Sequence, residues 1–263
     1  MEIKGIIHVH TMYSHDGELS LSDLAQLCKT SGYKFVIVTE HAEDMTEDSM
    51  SEFVHECKLL SDEDLVIIPG LEFICNGLHI LGLGIEKLLQ MSDFRTLVNE
   101  IHKQGGIAVL AHVSYYKDIP LENLLEVDGI EVWNSRYDGR YAPKLKCIKT
   151  FENLKKHNSN VVGYCGLDLH SYYEFGKLSI IVNINEEVDG GVILDALRKG
   201  DFKITNGIIT LEQDLNVYKK MILILLRMIY ICILILKKSI AKIFRATGIK
   251  PPKSFLRLIK RML

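Results

Sequence analysis

The stretch "IKGIIHVHTMYSHDG" ends a hydrophobic run on His8-x-His10 and follows it closely with His15 and Asp16. Alternate residues of a strand face the same side. His8 and His10 are therefore expected to present two imidazoles to one spot, with Asp16 in reach on the next loop. More nitrogen and oxygen donors close other apolar runs. Glu40 and His41 end "FVIVTEH", Glu72 ends "VIIPGLE", His112 ends "IAVLAH", and Asp168 and His170 follow "VVGYCG". With His79, the candidate ligands are His8, His10, Asp16, His41, Glu72, His79, His112, Asp168 and His170, and none is a thiolate. This set suits Zn, Mn or Fe and differs from the all-oxygen cages of calcium and magnesium. A single zinc takes about four ligands, so the set suffices for two or three divalent ions if a carboxylate bridges. In such multinuclear sites one ion makes hydroxide from water near neutral pH. The others neutralise phosphoryl oxygens and the leaving group, which is the chemistry of phosphate-ester hydrolysis.

Short β-branched runs alternate with helix-like stretches from residue 1 to about residue 205 and must position these donors. The predicted strands are "IKGIIHVH", "KFVIVTEH", "LVIIPGLEF", "LHILGLG", "GIAVLAHV", "DGIEVWN", "VVGYCGLD" and "KLSIIVNI". Predicted helices are "SLSDLAQLCKTSG", with Ser20 as N-cap and Gly32 as stop, "EDSMSEFVHECKLL", "MSDFRTLVNEIHKQGG", "APKLKCIKTFENLKKH" and "GGVILDALRKG". Alternation of this kind implies βα units and a mostly parallel sheet closed into a distorted α/β barrel. In such barrels the chemistry lies at the carboxyl ends of the strands, where His8, His10, His41, Glu72, His112, Asp168 and His170 fall.

The 263 residues carry 31 Lys and Arg against 34 Asp and Glu. Twelve of the basic residues and none of the acidic ones lie from Leu215 onward, leaving 19 basic against 34 acidic before it. A body of charge −15 thus carries a tail of +12, and we divide the chain into a barrel at 1–212 and a basic helical tail at 213–263. The acidic body argues against a broad nucleic-acid face, since phosphate backbones require clustered Lys and Arg. No leader pattern follows Met1, and six scattered cysteines without a C-x-x-C pair point to a cytoplasmic protein. Within the tail, "MILILLRMIYICILIL" is short against a bilayer span, which needs about 20 apolar residues, so a true span is the least favoured of the readings of this run. At 100° per residue Lys220, Arg227, Lys238, Lys242 and Arg245 share one stripe, and "KSFLRLIKRML" repeats the theme after Pro251-Pro252. A basic stripe with a broad apolar remainder suits peripheral binding to an anionic membrane. The competing readings are packing on the barrel, its basic stripe toward water, or on a second subunit as a homodimer.

At "HVHTMYSHDG", "VIVTEHAED", "GLEF", "HILGLG", "LAHV" and "GLDLH" the chain resembles the PHP (polymerase and histidinol phosphatase) family of metal-dependent phosphoesterases over roughly residues 3–185. The resemblance implies a distorted (β/α)7 barrel, to which the tail's own pattern adds a basic amphipathic α-helical C-terminal extension. It also implies one ion held by His8, His10, Glu72 and Asp168, a second by Asp16, His41 and His170, and a third by Glu72, His79 and His112, with Glu72 bridging. Two departures stand out: Glu40 replaces the family's usual aspartate before the histidine, and Val113 replaces the proline after His112. The implied activity is hydrolysis of phosphomonoesters or small nucleotide-type phosphate esters, with Glu72, Asp168 and His170 as the residues on which catalysis depends. Asn134 and Arg136, after the strand "DGIEVWN", can line the pocket for a small phosphorylated substrate, and Arg136 or Arg140 can clamp phosphate bidentately. The rival readings are a non-catalytic, metal-stabilised binding module and an amidohydrolase, since a metal hydroxide also attacks carbonyls.

Overall fold

The computed structural model describes residues 1–89, 93–214, 216–247 and 251–252. One sheet contains β1 (Glu2–Val9), β2 (Phe35–His41), β3 (Val66–Cys75), β4 (Leu78–Leu83), β5 (Ile107–Leu110), β6 (Gly129–Asn134), β7 (Val162–Gly166), β8 (Ser179–Asn183), β9 (Phe202–Thr205) and β10 (Thr210–Leu211). Its strand order is β10-β9-β8-β1-β2-β3-β4-β5-β6-β7. The flanking helices are α1 (Leu21–Thr30), α2 (Glu47–Leu60), α3 (Phe94–Lys103), α4 (Leu121–Glu126), α5 (Ser135–Asp138), α6 (Leu145–His157), α7 (Gly190–Lys199) and α8 (Val217–Thr247). All eight expected strands form; β9, β10, α4 and α5 are additional. The sheet curls strongly, and beyond β7 the chain returns beside β1. Leu167 N–H donates to Ile7 O at 3.1 Å, His10 N–H donates to Leu169 O at 2.8 Å, and Val9 bridges Leu169. These bonds draw the two sides together at the carboxyl ends of the strands, giving a distorted α/β barrel with a helical extension.

The sheet is mixed rather than mostly parallel. β1/β2, β2/β3, β5/β6 and β6/β7 pair in parallel, but β4 is antiparallel to both β3 and β5, and β8 to both β1 and β9. The cause at β4 is a two-residue turn. Asn76 and Gly77 both take positive φ, 52° and 75°, as a tight hairpin of matching twist requires. That dipeptide carried a hairpin signal in the sequence which the strand-by-strand reading passed over.

Local chemistry sets the helix ends. Ser20 Oγ accepts from Asp23 N–H at the start of α1, and Thr46 and Ser49 form a reciprocal capping box on α2. β2 is buried along its whole length, the pattern of a central parallel strand covered on both faces. Met91 and Ser92, at the expected start of the third predicted helix, and "KSFLRLIKRML" lie outside the described residues.

The apolar tail run lies within the single helix α8, which docks one face on the barrel. Leu223 is fully buried, and Leu226 packs against the core. The basic stripe does not face water at this end. Arg227 Nη1 donates to the carbonyls of Asp138 and Ala142, and Lys220 pairs with Glu152, so these cations point at the barrel. The carbonyls supply acceptors that Arg227 would otherwise have to seek in solvent. The side chain of Arg245, expected on the same stripe, lies outside the described residues.

Candidate metal centre

The nine expected ligands converge at the mouth of the curl. Glu72, on buried β3, divides its two oxygens. Oε2 lies 3.5 Å from His8 Nε2, 3.3 Å from His10 Nε2 and 3.4 Å from His41 Nδ1. Oε1 lies 2.9 Å from both His79 Nδ1 and His112 Nε2. Asp168 Oδ1 is 3.8 Å from His8 Nε2 and 3.4 Å from His170 Nδ1, while Oδ2 is 3.9 Å from His112 Nε2. Asp16 closes the outer side, its oxygens 3.3 Å from His41 Nε2 and 3.1 Å from His170 Nε2. Four overlapping triads have donor atoms close enough to share an ion: His10, His41 and His170; His8, His10 and Glu72; His8, His112 and Asp168; Glu72, His79 and His112.

Strand alternation alone does not create this arrangement. β1 carries a register shift between Ile7 and Val9, and His8 sits at φ 60°. The bulge re-aims the imidazole, and the His8 and His10 rings end 5.3 Å apart. His112 and Asp168 also take left-handed φ, 35° and 53°. Among the described residues, three of the four non-glycine residues with positive φ are thus candidate ligands. Backbone strain of this kind persists only where the surroundings enforce it and gathers at functional sites.

The donor chemistry fits cations. His8 Nε2, His10 Nε2 and His41 Nδ1 are buried, face Glu72 and make no hydrogen bond. Burial alone pushes the Glu72 carboxyl up, but the surrounding imidazoles of His8, His10, His112 and His79 outweigh it and hold the group well below the usual range. Burial holds His10 well below its ordinary value and lowers His170 as well. Both shifts favour the neutral imidazole that a metal requires. At His8 burial also lowers the pKa, but Glu131, Glu72 and Asp168 together raise it well above the usual value.

Two buried carboxylates were not read as functional in the sequence. Glu131, on β6, holds His8 Nδ1 at 2.7 Å, accepts the His112 backbone N–H at 2.7 Å, and accepts from Asn134 Nδ2 at 2.8 Å. It therefore fixes which His8 nitrogen faces the centre. The sequence signal was an acid inside the apolar run "GIEVW", since a buried carboxylate needs partners. Glu40 accepts from Thr11 N–H and Oγ1 and from Ser14 Oγ, tying the loop after β1 to β2. His15 is exposed and pairs with Asp44 at 2.8 Å, whereas Asp16 turns inward.

The rim is set by the segment after β6. Arg136 Nη1 touches His170 Nδ1 and lies 3.9 Å from Glu174. Asn134 is buried and bonds Glu131 and the N–H groups of Arg136 and Tyr137, so it shapes the loop and offers no atom to the mouth. Arg140 lies against the Tyr141 ring, 5.6 Å from its centroid. Tyr137 packs 4.9 Å from the His112 ring and 5.2 Å from exposed Tyr115, an aromatic wall that the motifs did not predict.

Six imidazoles and three carboxylates gather at the carboxyl ends of the strands of a curled α/β barrel, a donor set that suits a multinuclear metal centre. Residues 7–165 match the PHP domain model, and the chain belongs to the PHP family of metal-dependent phosphoesterases. Among curated proteins, none is significantly similar in sequence. Solved structures share the fold. One is a two-domain protein from Bacteroides vulgatus ATCC 8482 containing a predicted PHP-like metal-dependent phosphoesterase, with 17% identity over 78% of this chain and a TM-score of 0.59. This chain spans 65% of that protein's length. Another is PsfC from Pseudomonas syringae PB-5123, with 16% identity, 87% of this chain and 97% of PsfC covered, and a TM-score of 0.58.

Proposed function

We propose that the chain hydrolyses phosphomonoesters or small nucleotide-type phosphate esters using two or three Zn, Mn or Fe ions. His8, His10, Glu72 and Asp168 hold one ion, Asp16, His41 and His170 a second, and Glu72, His79 and His112 a third. The observation that carries this reading is the division of the two Glu72 oxygens between separate histidine groups, the geometry of a bridging carboxylate. When bound, the ions supply a nucleophile near neutral pH and screen phosphoryl charge. Arg136, anchored by Glu174 at the mouth, orients the phosphoryl group through its planar fork. Tyr115 and Tyr137, their rings tilted 58° to each other, wall the side beside His112 and offer an aromatic face to the leaving group, which favours one that can stack, such as a nucleobase.

In this reading β1–β7 are the family's seven-stranded barrel, the barrel occupies 1–212, and 213–263 form the tail. The six cysteines are unpaired, in keeping with a cytoplasmic protein. A panel of phosphate esters and cyclic amides, assayed with added Mn²⁺ or Zn²⁺, tests the proposal. Turnover of phosphate esters that is lost on chelation and restored by metal is the expected result. Turnover of the amides alone identifies an amidohydrolase. Metal binding without turnover of either identifies a binding module.

A further inference from the structure

Among the described residues no helix is long and apolar enough to cross a membrane, yet α8 leaves a broad apolar face uncovered. Its barrel side uses Lys220, Leu223, Arg227 and Tyr230, spaced at three and four residues and all held by the body. The face turned away carries Met221, Ile224, Leu225, Met228, Ile235 and Leu236, with Leu225, Met228 and Leu236 at 58%, 59% and 61% exposure. The docking of Arg227 explains how an arginine can sit mid-run without interrupting this face: the barrel carbonyls take its charge to the opposite side. Exposed Lys237, Lys238 and Lys242 follow directly along the helix.

We propose that the outward face of α8 seats the protein on an anionic lipid bilayer, the helix lying in the interface. A helix with one apolar face and basic residues at its edge and end buries the former among acyl chains and places the latter at lipid headgroups. Charge selects lipid over a second copy. From Leu215 onward the chain has twelve basic residues and no acidic one, so face-to-face pairing brings two tails of like charge together, whereas an anionic leaflet neutralises each. The position of α8 gives the contact a consequence. Arg227 grips the segment that carries Arg136, so the membrane helix lies beside the catalytic mouth.

The test is co-sedimentation of the full chain with mixed phosphatidylcholine–phosphatidylglycerol vesicles and with pure phosphatidylcholine vesicles. Binding to the former only, weakened by salt, is expected. Leu225→Glu with Met228→Glu should abolish it, while Leu59→Glu, an exposed apolar position on α2, should not. Replacing Lys237, Lys238 and Lys242 by Gln should weaken binding about 100-fold. Melting temperature and turnover of a soluble phosphate ester should stay unchanged in every variant. Loss of that turnover in the wild type would count against the metal-centre reading and leave this one standing. Equal binding to both vesicle types, no binding to either, or wild-type binding by the double Glu variant overturns the proposal. A lipid-free dimer that the double Glu variant splits also overturns it and assigns the face to a second copy.

Discussion

Glu131 touches no substrate position, yet it grips two candidate ligands at once through His8 Nδ1 and the His112 backbone N–H. Burial pushes its carboxyl up, but His8 and the neighbouring donors hold it below the usual range, so it remains a strong acceptor. Glu131→Gln keeps the shape but removes the charge that orients His8. Metal affinity should fall about 10–100-fold, read by titrating the apo-protein with Zn²⁺ or Mn²⁺, with far-UV circular dichroism unchanged. Unaltered affinity would show that His8 needs no orienting carboxylate. Glu72→Gln acts at the centre itself. Losing the charge that Glu72 shares between its two histidine groups should remove most phosphoesterase activity and reduce the number of ions retained, measured by elemental analysis. Wild-type turnover in that variant would show that Glu72 does not bridge.

At the scale of elements, the segment Asn134–Pro143 links helix α8 to the mouth. Arg227 holds the carbonyls of Asp138 and Ala142, and the Tyr230 ring packs over Gly139, where φ is +84° and an added Cβ would lie 2.7 Å from that ring. Trp133, the single tryptophan, donates its indole N–H to Gly139 O at 2.8 Å and is fully buried. Its fluorescence therefore reports this segment alone. Arg227→Met should keep the helix but strand the two carbonyls, lowering stability by about 1–3 kcal/mol and shifting Trp133 emission to the red. Unchanged emission and unchanged denaturation would mean that the segment holds its shape without α8.

For the whole molecule, the centre joins β1, β2, β3, β4 and the chain after β5 and β7, so ions there clamp elements far apart in sequence. Ions that bind only the folded state stabilise it by about 4 kcal/mol each at a free concentration a thousandfold above Kd. Chelation should lower the melting temperature markedly, and metal should restore it. A metal needs neutral imidazoles. Protons therefore compete first at His8, whose carboxylate neighbours raise its pKa well above the ordinary value, and last at His10 and His170, which burial lowers. The increment should be fullest at alkaline pH and shrink stepwise as pH falls. A melting temperature indifferent to chelator at neutral pH would remove the metal from the account of stability.

The sequence by itself determined which residues could meet. Donors at the ends of apolar strands must share one rim of an α/β barrel, because hydrophobic periodicity fixes the strands and the strands fix the rim. It also determined the caps of α1 and α2 and the amphipathic character of the tail, since these depend on neighbours a few residues away. Tertiary structure decided what depends on distant partners. The left-handed turn at His8 arises where the chain beyond β7 bonds back to β1, and no local pattern encodes it. Glu131 became an orienting group only because the curled sheet brings its carboxylate, on β6, to His8 on β1 and to the His112 N–H just after β5. The side of α8 that meets the protein was equally undecidable from the helix alone. A basic stripe reads as solvent-facing until barrel carbonyls lie opposite Arg227, and once they do, the apolar side is the one left outside.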